Sequence, residues 1–191
     1  MLSLSYRPNK QVEIEGQLFE INLSFDNILK LIDMLNDSEL SDKYKVILGT
    51  NMLFGVSFLF PFDRLQEIFT TVFYTYIAKE TSETVETDIQ GNPMPPRYRE
   101  DQASNYSLKY DADYIFASFY QAYQIDLIDQ QGKLSWEKFN ALLMGLPKDT
   151  KFKEVMEIRT WTPYKGCSKE EKNRMKKLQK LYALPEKVGE S

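Results

Sequence analysis

The chain has 191 residues, a formal net charge of −4 and a pI near 5.1, with 42% hydrophobic and 14% aromatic residues. That much apolar mass supports one domain or two small ones and excludes a wholly disordered chain, while the acidic balance argues against a protein that coats nucleic acid. The absence of histidine excludes His-dependent triads and His-containing zinc sites, and leaves the single Cys167 with neither a disulfide partner nor a general base.

In chain order, the N-terminal segment lacks the basic-then-apolar order of a secretory signal. Val12 and Ile14 flank Glu13, and Leu18, Ile21 and Leu23 follow Gly16, which predicts a hairpin turning at Glu15–Gly16–Gln17. Ser24 stands as an N-cap with Asp26 in the first turn, and Phe25, Ile28, Leu29, Ile32 and Leu35 follow at helical spacing as far as Asn36–Asp37. Ser41–Asp42 opens a second helix through Tyr44, Ile47 and Leu48 to about Phe54 or Gly55. The apolar run NMLFGVSFLFPF is interrupted by Asn51, Ser57 and Pro61 and falls well short of the roughly 20 residues a bilayer requires, so it is read as a buried segment with no membrane role. Pro61 suits the start of a third helix, in which Leu65, Ile68, Phe69, Val72, Phe73 and Tyr76 share one broad face.

Residues 79–107 change character: prolines, an acidic first half (Glu80, Glu83, Glu86, Asp88) and no apolar periodicity predict a linker between an N-terminal lobe, 1–78, and a C-terminal lobe, 108–191. In the second lobe, Asp111 or Asp113 caps a helix with Phe116, Phe119, Tyr120 and Tyr123 as its stripe, and Asp129 to Gly132 forms a turn. Ser135 caps a helix bearing Trp136, Phe139 and Leu143, closed by Gly145 and Pro147. Asp149 or Thr150 opens a short helix with Phe152, Val155 and Met156, and a last helix from Ser168 places Glu170 and Glu171 before its lysines, the order the helix dipole favours. The expected fold is mainly α: a short N-terminal β-hairpin with a helical lobe, a long flexible linker and a small all-α lobe ending in a basic helix.

The chemistry is sparse. With Gly132 at position six of a calcium loop, Leu127 and Lys138 fall at positions one and twelve, where oxygen ligands are required, so an EF-hand fails. Asp111 and Asp113 near a helix start serve capping and the dipole before any metal. The eight glycines are dispersed, and no phosphate loop or nucleophile elbow occurs. No catalytic, cofactor-binding or metal residues are expected, and the protein is read as no enzyme. In the basic helix, Lys169, Lys172, Lys176 and Lys180 share one face and Met175, Leu178, Leu181 and Tyr182 another. It packs on its own lobe, meets an acidic protein surface, or meets nucleic acid, the last disfavoured by the acidic remainder of the chain. Tyr114, Ile115 and Ala122 lie beside the Phe116–Tyr123 stripe, and Leu142 and Met144 lie off the Trp136 face, leaving apolar surface for a partner.

YDADYIFASFYQAYQIDL, LSWEKFNALLMGLPKDTKF, the Ile158–Arg159 pair and KKLQKLYALP together resemble the phage gene-product-fifteen (Gp15) family of tailed phages and prophages of Gram-positive bacteria. The order of N-terminal elements is similar to that family too; the departure is Ser135, where the family often has another aromatic. The resemblance implies a tail assembly chaperone: a non-enzymatic protein of the host bacterial cytoplasm that coats and solubilises the tape measure protein, helps recruit the major tail protein and is not retained in the virion. It implies no catalytic residues and no cofactor. Under that reading Phe116, Phe119, Tyr120, Trp136 and Phe139 are the candidate partner-binding anchors, and Leu65, Phe69, Val72, Phe73 and Tyr76 the candidate self-association face of a homo-oligomer. The competing readings are a structural tail-completion or connector protein of the virion and a nucleic-acid-binding regulator.

Overall fold

The computed structural model describes residues 4–5, 10–78 and 105–185. In chain order its elements are β1 (Gln11–Ile14), β2 (Gln17–Glu20), α1 (Phe25–Leu35), α2 (Asp42–Phe54), α3 (Phe62–Tyr76), α4 (Ala112–Tyr123), α5 (Trp136–Met144), α6 (Lys151–Thr160) and α7 (Lys169–Leu181). The fold is mainly helical with one N-terminal hairpin, as the periodicities predict. The expected linker falls almost wholly outside the described residues. The chain divides into two compact units, Met1–Arg99 with Gln131–Ala141, and Glu100–Gln130 with Leu142–Ser191.

In the first unit β1 and β2 pair antiparallel, Val12 opposite Phe19 and Ile14 opposite Gln17. Glu15 (φ 50°) and Gly16 (φ 79°) are both left-handed, the pairing a two-residue hairpin turn needs to match the twist of its strands. Ser24 adopts the extended N-cap backbone, but its hydroxyl donates to Asn22 Oδ1 (2.7 Å) and does not cap α1. The side-chain amide of Asn27 donates to the carbonyls of Asn22 and Met52, each at 3.0 Å, fastening the start of α1 to the end of α2. Helix α2 stops at Gly55, whose left-handed backbone (φ 67°) returns its N–H to the Asn51 carbonyl. Its Gly49 lets α3 approach closely: a Cβ there would lie 2.5 Å from the Phe69 ring.

The segment 131–141 completes this unit, a correction to the expected division at the linker. Phe25 N–H donates to the Leu134 carbonyl (2.9 Å) and Trp136 N–H to the Leu23 carbonyl (2.8 Å), a short antiparallel bridge between Ser24 and Ser135. Gly132 N–H donates to Asp26 Oδ1 (2.8 Å). Phe139 then stacks on Phe25, with ring centroids 5.0 Å apart, and on Trp136 at 5.8 Å. The Trp136 indole N–H reaches the Ile77 carbonyl just past the end of α3 (3.3 Å). Burying these rings contributes about 1.5–3 kcal/mol each, so the unit depends on residues distant in sequence.

In the second unit α4 packs on α6, with Ile115, Phe119, Phe152, Val155 and Ile158 buried. Ser118, wholly buried in α4, accepts the Phe152 N–H (2.9 Å) and so satisfies a first-turn donor of α6. Tyr123 closes the other end of α4 by donating its hydroxyl to the Leu142 carbonyl (2.9 Å). Helix α7 has a true side-chain cap, Ser168 Oγ accepting from Glu171 N–H (3.0 Å), yet it buries no residue. It is held to α6 largely through polar groups: Gln179 donates to the Trp161 carbonyl (2.8 Å), and the Tyr182 hydroxyl meets Lys151 (2.9 Å).

Candidate functional site

The titratable groups that chemistry would need are engaged structurally. Asp111 does not cap α4 through its side chain. Its buried carboxylate takes two hydrogen bonds from Arg159 (2.6 and 2.7 Å) and one from Ser107 N–H (2.9 Å). The same guanidinium donates to the Tyr182 carbonyl (2.6 Å) and the Asn105 carbonyl (2.9 Å). This network ties the segment before α4, the end of α6 and the end of α7 to one cation. Asp113 is exposed in the first turn of α4, so the two aspartates share no site. Burial, with the Glu171 carboxylate beside it, pushes the Cys167 thiol above its ordinary value, the reverse of what a nucleophilic cysteine requires. Among the described residues no three His, Cys, Asp or Glu side chains group as metal ligands, no buried side-chain nitrogen or oxygen lacks a hydrogen-bond partner, and no helix is long and apolar enough to cross a membrane.

The aromatic candidates separate by unit and by burial. Phe119 is fully buried in the second unit, while Trp136 and Phe139 are both 2% exposed in the first. A side chain enclosed by its own protomer cannot reach a partner without unfolding its surroundings, so these three are core and not anchors, a correction to their sequence assignment. Phe116 and Tyr120 remain. They stack on α4 with centroids 6.5 Å apart and planes 14° apart; Phe116 is half-buried and Tyr120 is 51% exposed. The proposed self-association face is corrected in the same way. Leu65, Phe69, Val72 and Phe73 are buried in the first unit, and only Tyr76 is half-exposed.

One apolar surface escaped the sequence reading. The stretch Val56–Phe60, expected to be buried, is a loop in which Val56 is exposed, Leu59 is wholly exposed and Phe58 stacks on Phe60 at 5.4 Å. Phe19 of β2 meets Phe58 and Phe54 edge-on at 5.0 and 6.3 Å. The signal was present: Gly55 ends one helix and Pro61 begins the next, leaving too few residues between them for a buried element.

The described residues thus present aromatic and basic surfaces on helices. A family model described as Bacteriophage Gp15 protein matches residues 8–184, and the chain belongs to that family of phage structural and morphogenesis proteins. Comparison with curated proteins and with solved structures gives no match.

Proposed function

We propose that this Gp15 protein is a non-enzymatic tail assembly chaperone, acting in the host bacterial cytoplasm to cover the tape measure protein and help recruit the major tail protein. The observation that carries the reading is the Phe116–Tyr120 pair, an aromatic surface on a helix whose adjacent face is fixed in the core by Ile115 and Phe119. Such a pair suits an apolar helical partner, because aromatic rings add large contact area at small entropic cost. A long, partly apolar helix of tape measure type needs many such contacts while it is uncovered.

Co-expression with the tape measure protein tests the proposal. The chaperone reading expects the tape measure protein to become soluble and to co-purify, and Tyr120→Ala to weaken that capture with little change in thermal stability. No gain in solubility and no co-purification would rule it out. Mass spectrometry of purified particles separates the structural alternative, since a tail-completion or connector protein remains in the virion. Strong, salt-dependent DNA binding through α7 would support the nucleic-acid reading instead.

A further inference from the structure

We infer that α7 of one copy docks on the acidic hairpin–loop surface of another copy, joining molecules head to tail. The two surfaces lie on different units and differ in charge. Among the described residues the first unit carries seven lysines and arginines against eleven carboxylates, and the second twelve against nine. In the first unit the exposed Val56 and Leu59 and the stacked Phe58 and Phe60 adjoin the hairpin through Phe19, and that hairpin exposes Glu15 at its turn and Glu13 and Glu20 on the face away from Phe19, with Asp63 opening α3 beyond the loop. The positive charges nearby are few: Lys10 flanks the hairpin, Lys43 lies over the Phe62 ring and Arg64 is paired with Glu67. The result is an apolar patch on the more acidic unit.

Helix α7 is its counterpart. It exposes Lys169, Lys172, Lys176, Lys177 and Lys180, leaves Met175 and Leu178 half-covered and Leu181 71% exposed, and buries nothing. An apolar surface on an acidic unit and a basic amphipathic helix complement each other, whereas two copies of either would repel. Because each copy carries one surface of each kind, the contact is heterologous: an open chain keeps one surface of each kind free at its ends, and a closed ring uses both.

Sedimentation velocity on the full-length protein tests this without any phage partner, so its outcome is independent of the chaperone reading. The wild type is expected to associate as concentration rises and to dissociate at high salt, because exposed ion pairs are screened. Leu59→Lys and Leu181→Glu, both at exposed positions, should each weaken association about tenfold or more while circular dichroism and melting stay unchanged. Mixing the two variants supplies the decisive readout. Each retains the surface the other has lost, so an equimolar mixture should form a one-to-one pair that neither forms alone. A wild type that stays monomeric, association indifferent to both substitutions, or a mixture that fails to pair would overturn the inference.

Discussion

Arg159 holds the Asp111 carboxylate with two parallel hydrogen bonds and spends further donors on two backbone carbonyls, so its removal strands a buried negative charge. Breaking a buried pair from one side costs about 3–5 kcal/mol, and Arg159→Ala should lower stability in urea denaturation by that order. A loss below about 1 kcal/mol would mean the pair behaves as a surface contact. Gly49 gives the opposite of a propensity rule. In an open helix, glycine to alanine stabilises by about 1 kcal/mol, but here the new methyl meets the Phe69 ring, and Gly49→Ala should destabilise by about 1–3 kcal/mol. Asp26 brings in pH. Partial burial acts to raise its pKa, but the hydrogen bonds the carboxylate accepts, from the Gly132 N–H foremost and from Ser24 and its own backbone N–H, together with the Lys30 charge, outweigh it and hold the carboxyl below its ordinary value. A depressed folded value means stability that is present above the ordinary carboxylate range and lost as pH falls through the folded value. The Gly132 amide should therefore lose protection from hydrogen exchange on acidification below about pH 4, and Asp26→Asn should remove that dependence.

At the scale of elements, α4 separates core from surface within one turn. Phe119→Ala should cost about 3–5 kcal/mol, as deletion of a fully buried aromatic does, whereas Tyr120→Ala should stay within about 0.5 kcal/mol in thermal melts. Equal losses would show that Tyr120 is structural. The helical stripes themselves could be read in the sequence, because apolar periodicity reports which side of a helix is covered. It does not report what covers it. Phe139 and Phe25 stack although more than a hundred positions separate them, and nothing local in either segment encodes that pairing. Trp136 and Phe139 therefore looked like parts of a C-terminal lobe with a face to spare. The Leu65–Tyr76 face was legible as apolar, yet its partners, including the ring over Gly49, belong to the same unit. The buried aspartate was legible only as a cap, since the cation that claims it arrives from α6. Conversely, the run around Val56–Phe60 was apolar enough to suggest burial, and its exposure follows from two backbone breakers, Gly55 and Pro61.

For the molecule as a whole, the first unit is discontinuous, because residues 131–141 return to it after the second unit has begun. A fragment ending at residue 104 lacks Trp136 and Phe139 and should show reduced helicity and no cooperative melt, while one extended through residue 145 should regain both. A sharp melt from the shorter fragment would show that the returning segment is dispensable. Chain return also sets an order of events during synthesis. A ribosome adding about 5–20 residues per second needs roughly 3–13 s to progress from the end of α3 to residue 141. Throughout that interval the nascent chain carries the bare side of Phe25 toward the position its stacking partner has yet to fill. Translation speed across the intervening codons therefore sets how long the first unit's incomplete core is open to aggregation during synthesis.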